Sequence, residues 1–382
     1  MFSWSQPPSV TGVNISAAAN RTLKAVCIGL QHGHMGTIGP VKPGWIHTFR
    51  QLEGVEVVAY CEDTLTDRLA EAAEYDPEAS VYTSVDDLID KQDFDFAFIA
   101  LPADEIPGVG IKLAEAGKHF FMEKQFARRA DDMVEMVRAV RKAGVTVMPG
   151  YPHRFNPVAQ DLKRLIDQGI FGRPLDLEVR MITGQVRPGV RGLESFMYTD
   201  KHEGGGIQHM LGGHYLEVMR YLMGCEVKTV IAMNGRPVGF IEEPLEDISL
   251  AIFEFENGAY GTMHSGYLQS TKGGSDNALV YRGLDGEASW TPMGAPHLDV
   301  KSSVPEWATA PTRSFDYEFA PGPPGYATHI WMLEWIQGYV DALREGREAP
   351  LTVEDGLHTL QLIDAIYESG RTGAAVDVKY GI

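Results

Sequence analysis

Short apolar runs alternate with amphipathic stretches along the first 150 residues of the chain. Apolar runs of strand length occur at residues 23–30, 56–61, 95–101, 119–122 and 145–148, and helical patterns occur at 110–116 and near 131–143. Continuous apolar runs are typical of parallel strands that are buried on both faces. This strand and helix alternation predicts an α/β fold with a doubly wound parallel sheet.

The run at 119–122 stops abruptly on two adjacent charges, Glu123 and Lys124. In open α/β sheets, ligands bind outside the carboxyl ends of the strands. Lys124 is therefore predicted to lie where the chemistry takes place. The alternative is an ordinary solvated ion pair that follows a surface strand.

A glycine turn follows the first strand, and a helical pattern begins after it near Trp45. Glycines in such a turn let the backbone approach a pyrophosphate. Gln31 stands where the usual GxGxxG spacing has a glycine, so a turn without a ligand is the alternative interpretation. The candidate cofactor residues in this turn are Gly29, Gln31, His32, Gly33, His34 and Met35, and Gly36 completes the glycine spacing.

The second predicted strand ends at Glu62, at the distance from the turn expected of a carboxylate that binds the adenosine ribose. Because Glu62 would repel a 2′-phosphate, NAD is predicted rather than NADP. Leu101, Pro102 and Glu123 follow other strands of the same sheet and are further cofactor candidates.

Composition places the chain among globular proteins, with 382 residues, 44% hydrophobic residues and 22% charged residues. A formal charge of −19 disfavours nucleic acid and membrane partners. Three cysteines without CxxC spacing predict a reduced, cytoplasmic location. The expected organisation is an extension at 1–21, a dinucleotide-binding domain at 22–149 and a substrate domain at 150–382. The Gly-, Ser- and Pro-rich range 266–324 suggests long loops.

Six motifs occur together in a specific order and spacing. They are the AGKH-apolar-EK stretch at 116–124, His-Arg-Phe-Asn-Pro at 153–157, the three glycines at 204–206 leading to His214, Glu246-Asp247, Asn257-Gly258, and Thr-Val-Glu-Asp-Gly at 352–356. With these motifs the chain resembles the glucose-fructose oxidoreductase, inositol dehydrogenase and rhizopine-catabolism (Gfo/Idh/MocA) family. The resemblance implies a Rossmann domain, then an α/β domain with a large open, mostly antiparallel sheet, assembled as homodimers or homotetramers.

The chain departs from the family pattern at two places near the expected catalytic residues. The usual Glu-Lys-Pro reads Glu-Lys-Gln, so a difference in the backbone is expected at Gln125. Met210 stands where the family commonly has an aspartate, four residues before His214. Since a thioether cannot exchange protons, the family's set of lysine, aspartate and histidine is incomplete here.

Oxidation of a secondary alcohol sends a hydride to the nicotinamide and a proton to a base. His214 and Lys124 are the principal catalytic candidates, and Tyr198 and His153 are candidates for further proton transfers. Tyr151, Gln208 and His209 are candidates for contact with a sugar. Although His32 and His34 alternate in the glycine turn, no convincing metal-ligand pattern is found, and no metal is predicted.

Arginines in an otherwise acidic chain suggest that the substrate carries an anionic group, because guanidinium groups bind carboxylate, sulfonate or phosphate in bidentate fashion. The candidates are Arg154, Arg187 and Arg191. The alternative for Arg187 and Arg191 is that they pair with acidic surface residues or with another subunit.

Three functions remain open from the sequence. The first is an NAD-dependent dehydrogenase that oxidises a ring hydroxyl of a sugar or cyclitol, with C3 as the expected position. The second is an oxidoreductive glycosidase that retains and recycles NAD while it cleaves an anionic glycoside, such as a sulfoquinovoside or a uronide, by transient C3 oxidation and elimination. The third is a non-catalytic sensor of NAD and sugar, which the presence of Lys124 and His214 disfavours.

Overall fold

A computed structural model of the protein contains two β-sheets with helices packed on them. The structure describes residues 21–35, 44–187, 196–271, 274–292, 294–325 and 328–382. Within these ranges, no helix combines the length and the apolar character that a membrane crossing requires.

The first sheet has six parallel strands in the order β3-β2-β1-β4-β5-β6. These strands are β1 (Leu23–Ile28), β2 (Val55–Cys61), β3 (Ser80–Tyr82), β4 (Phe96–Ile99), β5 (His119–Met122) and β6 (Val147–Pro149). The helices that accompany them are α1 (Trp45–Phe49), α2 (Thr66–Tyr75), α3 (Val85–Lys91), α4 (Ile106–Glu115) and α5 (Ala130–Ala143). The order reverses between β1 and β4, which is where a doubly wound sheet binds its ligand. The predicted fold class is confirmed.

The second sheet has nine strands in the order β14-β13-β12-β11-β7-β10-β9-β8-β15, and β7 with β10 is its parallel pair. Its strands are β7 (Pro174–Thr183), β8 (Val227–Gly235), β9 (Ile248–Phe255), β10 (Tyr260–Gly266), β11 (Ser275–Gly283), β12 (Gly286–Trp290), β13 (His297–Ser302), β14 (Thr312–Asp316) and β15 (Val376–Asp377). The helices of this half are α6 (Pro157–Asp167), α7 (Asp200–Glu203), α8 (Gly213–Met223), α9 (Ile330–Glu345) and α10 (Val353–Thr372).

The predicted loops between strands of the second sheet occur within 266–324, for example at residues 303–311, but they do not fill this range. Strands β11 to β14 occupy much of this range, and β11 and β12 form a hairpin between Gly283 and Gly286. Glycine and proline therefore mark short turns between antiparallel strands here. Tyr267, Trp290 and Trp307 from the same range are buried among the core side chains.

Helix α9 packs against the first sheet, although it comes late in the chain. The Trp335 ring lies 5.6 Å from the ring of Phe121 on β5 and 6.0 Å from that of Trp45 on α1. Edge-to-face pairs of this kind stabilise a core beyond the area they bury. The C-terminal half of the chain thus completes the hydrophobic core of the N-terminal half.

Candidate active site

Lys124 lies directly after β5, as its sequence predicts. The backbone N–H of Glu123 donates to the carbonyl of Ile99 at the end of β4, which extends the ladder by one residue. The Lys124 side chain is buried, and its Nζ lies 3.4 Å from the carbonyl oxygen and 3.9 Å from Sδ of Met210. The Lys124–Gln125 peptide bond is cis, so an unusual peptide geometry is present here without the proline.

His214 lies at the start of α8 within a cluster of rings. Its ring centroid is 5.2 Å from that of His153 and 5.4 Å from that of Tyr151. Its pKa lies well below the ordinary value, mainly because protein surrounds the ring and also because a charge on His153, Lys124 or His34 disfavours a second charge on His214. The imidazole is therefore neutral at pH 7 and able to accept a proton.

The two neighbours of His214 are themselves neutral. Burial lowers the pKa of His153 to about 4, and burial raises the pKa of the Tyr151 hydroxyl. The Tyr151 hydroxyl has no hydrogen-bond partner among the described residues. The structure thus brings the rings of Tyr151, His153 and His214 into contact, and the Lys124 charge acts on His214.

The glycine turn lies against the end of β4. Gly29 has a φ of +86°, and a Cβ on it would lie 2.5 Å from the carbonyl oxygen of Ala100 and 2.8 Å from Leu101. Only glycine fits at position 29, this close to Ala100 and Leu101. Because glycine has no side chain, the backbone of the turn stays accessible to a ligand. This arrangement at the reversal of strand order fits a dinucleotide. Gly36 lies outside the described residues.

Other residues predicted to bind the cofactor surround the turn. His32 and Met35 are buried, Gln31 and His34 are partly buried, and Pro102 is buried beside Leu101 at the end of β4. Gly33 packs near the Met197 side chain, since a Cβ there would lie 3.6 Å from it. Tyr198 is buried in the same short helical turn as Met197.

Glu62 is buried at the end of β2, and both of its carboxylate oxygens accept backbone hydrogen bonds. Oε2 accepts from the N–H of Leu30 at 2.7 Å, and Oε1 accepts from Thr64 at 2.9 Å and Leu65 at 3.1 Å. Glu62 thus ties the glycine turn to β2, and its contact with a ribose stays a prediction.

Glu123 is buried and hydrogen-bonds to Nδ1 of His34. Burial raises the pKa of Glu123, while nearby His32 and Lys124 oppose that shift. Ligand atoms of Glu123, His32 and His34 lie within 4.8 Å of one another, a grouping with the donor types that bind zinc. The absence of a metal therefore stays a prediction.

Arg154 does not join this cluster. Its guanidinium forms ion pairs with the buried carboxylate of Glu217 and, at 3.5 Å, with Asp355, and it lies over the ring of Tyr221. These contacts hold the arginine against α8 and α10. Its predicted contact with the substrate is therefore not supported.

Gln208 and His209 are fully buried and face the interior of the protein. The Gln208 amide oxygen accepts from Ser265 at 2.7 Å, and Nε2 of His209 hydrogen-bonds to the carbonyl of Ala127 at 3.1 Å. Their predicted place at the wall of a sugar pocket is not supported. Arg187 donates to the carbonyl of Gln269 at 2.8 Å, and Arg191 lies outside the described residues.

Two buried carboxylates near the site were not among the predicted site residues, although one of them, Glu246, belongs to a motif that carries the family resemblance. Glu246 accepts the backbone N–H groups of Gly206 and Gln208, both at 2.8 Å, and so holds the start of the helical segment that leads to His214. Glu203, just before the three glycines, is 2% exposed. Its position directly before the three glycines could have indicated a role in the site. It was not predicted because an acidic residue at the end of a short helix is usually exposed to solvent.

Two family models together match nearly all of the chain. The oxidoreductase-family NAD-binding Rossmann fold matches residues 24–151, and the C-terminal α/β domain of the same family matches residues 163–378. The chain belongs to the Gfo/Idh/MocA oxidoreductase family. The predictions of an enzyme with a Rossmann domain that binds NAD are thereby confirmed.

Among relatives of this family member, D-apiose dehydrogenase of Paraburkholderia graminis is 27% identical, covering 87% of this chain and 86% of that protein. The NAD-dependent scyllo-inositol 2-dehydrogenase of Bacillus subtilis is also 27% identical, covering 77% of this chain and 81% of that protein. A structure of levoglucosan dehydrogenase with NADH and levoglucosan has a TM-score of 0.79 at 22% identity, covering 93% of this chain and 99% of that one.

Proposed function

We propose that this protein is an NAD-dependent dehydrogenase that oxidises a secondary hydroxyl of a carbohydrate or polyol. The observation that carries the proposal is the neutral, partly accessible imidazole of His214 in the same cluster as Lys124. His214 takes the hydroxyl proton, while the Lys124 ammonium donates a hydrogen bond to the same oxygen and stabilises the negative charge that develops there. NAD, when bound, accepts the hydride.

The chain's own residues position the two reactants. The turn at Gly29 would hold the pyrophosphate of NAD against backbone N–H groups, with Glu62 at the adenosine end. Leu101 and Pro102, which follow β4, would line the nicotinamide end of the site. We infer that the substrate binds between the turn and His214.

We propose a neutral sugar or cyclitol in preference to an anionic one. Two relatives are named for dehydrogenation of apiose and scyllo-inositol, and one neighbour binds levoglucosan. The guanidinium groups of Arg154 and Arg187 are already bonded within the protein, to carboxylates and to a carbonyl respectively. Of the three candidate arginines, this leaves Arg191, which lies outside the described residues.

The decisive assay incubates purified protein with free sugars, cyclitols, and neutral and anionic aryl glycosides, with NAD, with NADP or without added nucleotide. We expect stoichiometric NAD reduction by at least one neutral free sugar or cyclitol, and little reduction of NADP. Absorbance of the reduced nicotinamide and release of the aglycone are followed together. Absence of cofactor reduction across the panel would contradict the proposal, and absence of aglycone release as well, although NAD binds, would favour a sensor.

An oxidoreductive glycosidase is the second candidate, and the pairing of His153 with His214 favours it. A dehydrogenase needs one base, whereas this site has two adjacent neutral imidazoles and the unpartnered Tyr151 hydroxyl. Transient oxidation at C3 acidifies the C2 proton, so a second base at C2 lets the group at C1 leave. Aglycone release without net cofactor reduction would establish this function.

We also propose that the protein is a homodimer joined through the open face of the second sheet. Ile231 and Met233 on β8 and Leu250 and Ile252 on β9 are 43 to 75% exposed there. Contiguous exposed apolar side chains of this kind mark interfaces. Light scattering should give twice the chain mass, and Ile252→Asp should give the monomer mass. A monomeric wild-type protein would contradict this assembly.

A further inference from the structure

Three buried polar atoms in the neighbourhood of His214 have no hydrogen-bond partner in the part of the chain that the structure describes. They are Nδ1 of His214, the hydroxyl oxygen (Oη) of Tyr151 and Oε2 of Glu217. Since buried polar atoms are almost always paired, these three atoms are candidates to pair with one another.

The Tyr151 hydroxyl lies against helix α8, at the turn that carries His214. A Cβ on Gly213, the residue before His214, would lie 2.7 Å from Oη of Tyr151. Glycine therefore leaves the room that the hydroxyl occupies. The rings of Tyr151 and His214 meet edge to face, with their centroids 5.4 Å apart. Oη is thus beside the backbone from which the imidazole extends.

Glu217 lies one turn further along the same helix, four residues after Gly213. Side chains four residues apart share one face of a helix, with Cβ atoms about 5–6 Å apart, and the later side chain leans back over the earlier turn. The Glu217 carboxylate therefore reaches towards the space at Gly213 where Oη of Tyr151 lies. The Glu217 charge also acts on the Tyr151 hydroxyl, in agreement with this placement.

Glu217 and Tyr151 have complementary hydrogen-bonding roles. Oε1 of Glu217 accepts from the guanidinium of Arg154, and this contact favours the ionised carboxylate, whereas burial raises its pKa. Burial and the Glu217 charge raise the pKa of the Tyr151 hydroxyl, which therefore keeps its proton. Oε2 of Glu217 is thus an acceptor without a donor, and the hydroxyl is a donor without an acceptor.

The Tyr151 hydroxyl oxygen can also accept a hydrogen bond, and Nδ1 of His214 can donate one. His153 is the other ring beside His214, with 5.2 Å between centroids, but its nitrogens are not among the buried atoms that lack a partner. With its proton on Nδ1, the His214 ring keeps a lone pair on Nε2. The partly exposed side chain then presents a proton acceptor to the site.

We propose that Glu217 and Tyr151 form a hydrogen-bonded chain that holds His214 in the tautomer with the proton on Nδ1. The Tyr151 hydroxyl donates to Oε2 of Glu217 and accepts from Nδ1–H of His214, directly or through an ordered water. Nε2 takes the substrate proton, and the Glu217 charge stabilises the imidazolium that results. Tyr151 and Glu217 are positioning residues that act through His214, and their effect on turnover rests on the proposed dehydrogenase function.

The tautomer is measured by NMR on NAD-free protein with ¹⁵N-labelled histidine rings, at neutral pH and without substrate. The signals of His214 are those that disappear in His214→Gln. We expect the wild type to carry the proton on Nδ1. Tyr151→Phe should lose this preference and gain the Nε2–H form, which prevails in free histidine. A wild-type His214 with its proton on Nε2, or a tautomer that is unchanged in Tyr151→Phe, would overturn the proposal.

Tyr215→Phe is the matched control. The Tyr215 ring also lies in this group of rings, 5.1 Å from that of His153, but its hydroxyl is not among the buried atoms without a partner. The Tyr215 side chain is buried, as that of Tyr151 is. This variant should keep the wild-type tautomer of His214. A change as large as that in Tyr151→Phe would mean that any disturbance of the packing shifts the tautomer, which would count against the proposal.

With a substrate that reduces NAD, a double-mutant cycle measures whether the two residues act as one unit. Tyr151→Phe and Glu217→Gln should each lower kcat by about 10- to 100-fold, with KM for NAD within about twofold of the wild type. The double variant should lie within about twofold of the slower single variant, because either substitution already breaks the chain. Losses that multiply would show that the two residues act independently and would overturn the proposal.

Glu217→Gln also removes a partner of the buried Arg154. If this variant does not fold, Arg154→Met combined with Glu217→Gln replaces it in the cycle, because the two substitutions remove both buried charges together. If no substrate reduces NAD, the dehydrogenase proposal fails. The tautomer of His214 in the wild type and in Tyr151→Phe still decides whether the chain exists.

Discussion

Replacing Lys124 with methionine is expected to lower kcat for NAD reduction by about 100- to 1,000-fold. Methionine keeps much of the length of the side chain and removes the charge, so the developing negative charge on the substrate oxygen loses its hydrogen-bond donor. Because Lys124 is buried beside the Met210 thioether, the substituted chain has room for the new side chain. Steady-state kinetics with the best substrate of the panel measures the effect.

Lys118→Met is the matched control for this change. Lys118 precedes the same strand, β5, but its Nζ donates to the carbonyl of Phe94 at the opposite end of the sheet. Turnover of this variant should stay within about twofold of the wild type, because the Lys118 side chain lies at the other end of the sheet from the site. Circular dichroism should show both variants folded. A Lys124→Met enzyme with near-normal kcat would remove Lys124 from the mechanism.

Gly206→Ala is expected to lower the free energy of unfolding by about 3 kcal/mol or more. A Cβ at this position would lie 1.8 Å from the carbonyl oxygen of Glu246, which is backbone and has little freedom to move. The clash also separates the Gly206 N–H from the Glu246 carboxylate, which leaves a buried acceptor with fewer partners. Urea denaturation measures the loss.

The control for the glycine is Gly108→Ala on α4. A Cβ at Gly108 meets no atom within 4 Å, and alanine is the better helix former. This substitution should raise the free energy of unfolding by about 0.5–1 kcal/mol. If Gly206→Ala were as stable as the wild type, the backbone around Glu246 would have to move away from the new Cβ. That result would contradict the close packing of Gly206 against Glu246.

The fold could be predicted from the sequence because the decisive signals are local. Apolar runs buried on both faces specify parallel strands, and the charge at Lys124 marks where β5 ends. The second half was harder to predict. Its strands alternate buried and exposed residues, and the turns between them are rich in glycine and proline. Strands such as β12 and β13 therefore could not be distinguished from the loops around them.

The residues that each side chain of the site contacts were harder to predict than the fold. Arg154 was expected to bind the substrate, but an acid 63 residues later in the chain, Glu217, pairs with it. Met210 and His214 are four residues apart, and Met210 lies in a π-helical turn over Gln208–Gly212 that the sequence did not predict. Pairings across the fold depend on tertiary contacts that local spacing does not encode.

The position of Trp335 against Phe121 and Trp45 has a consequence for how ligands act on the whole molecule. Since part of the nucleotide-binding half is buried by a helix from the other half, a fragment that ends near residue 150 would expose the rings of Phe121 and Trp45 to water. The two halves are expected to unfold in one transition. Saturation with NAD at 100 times its Kd would then protect the distant nine-stranded sheet by the same ~2.7 kcal/mol as the sheet that binds it.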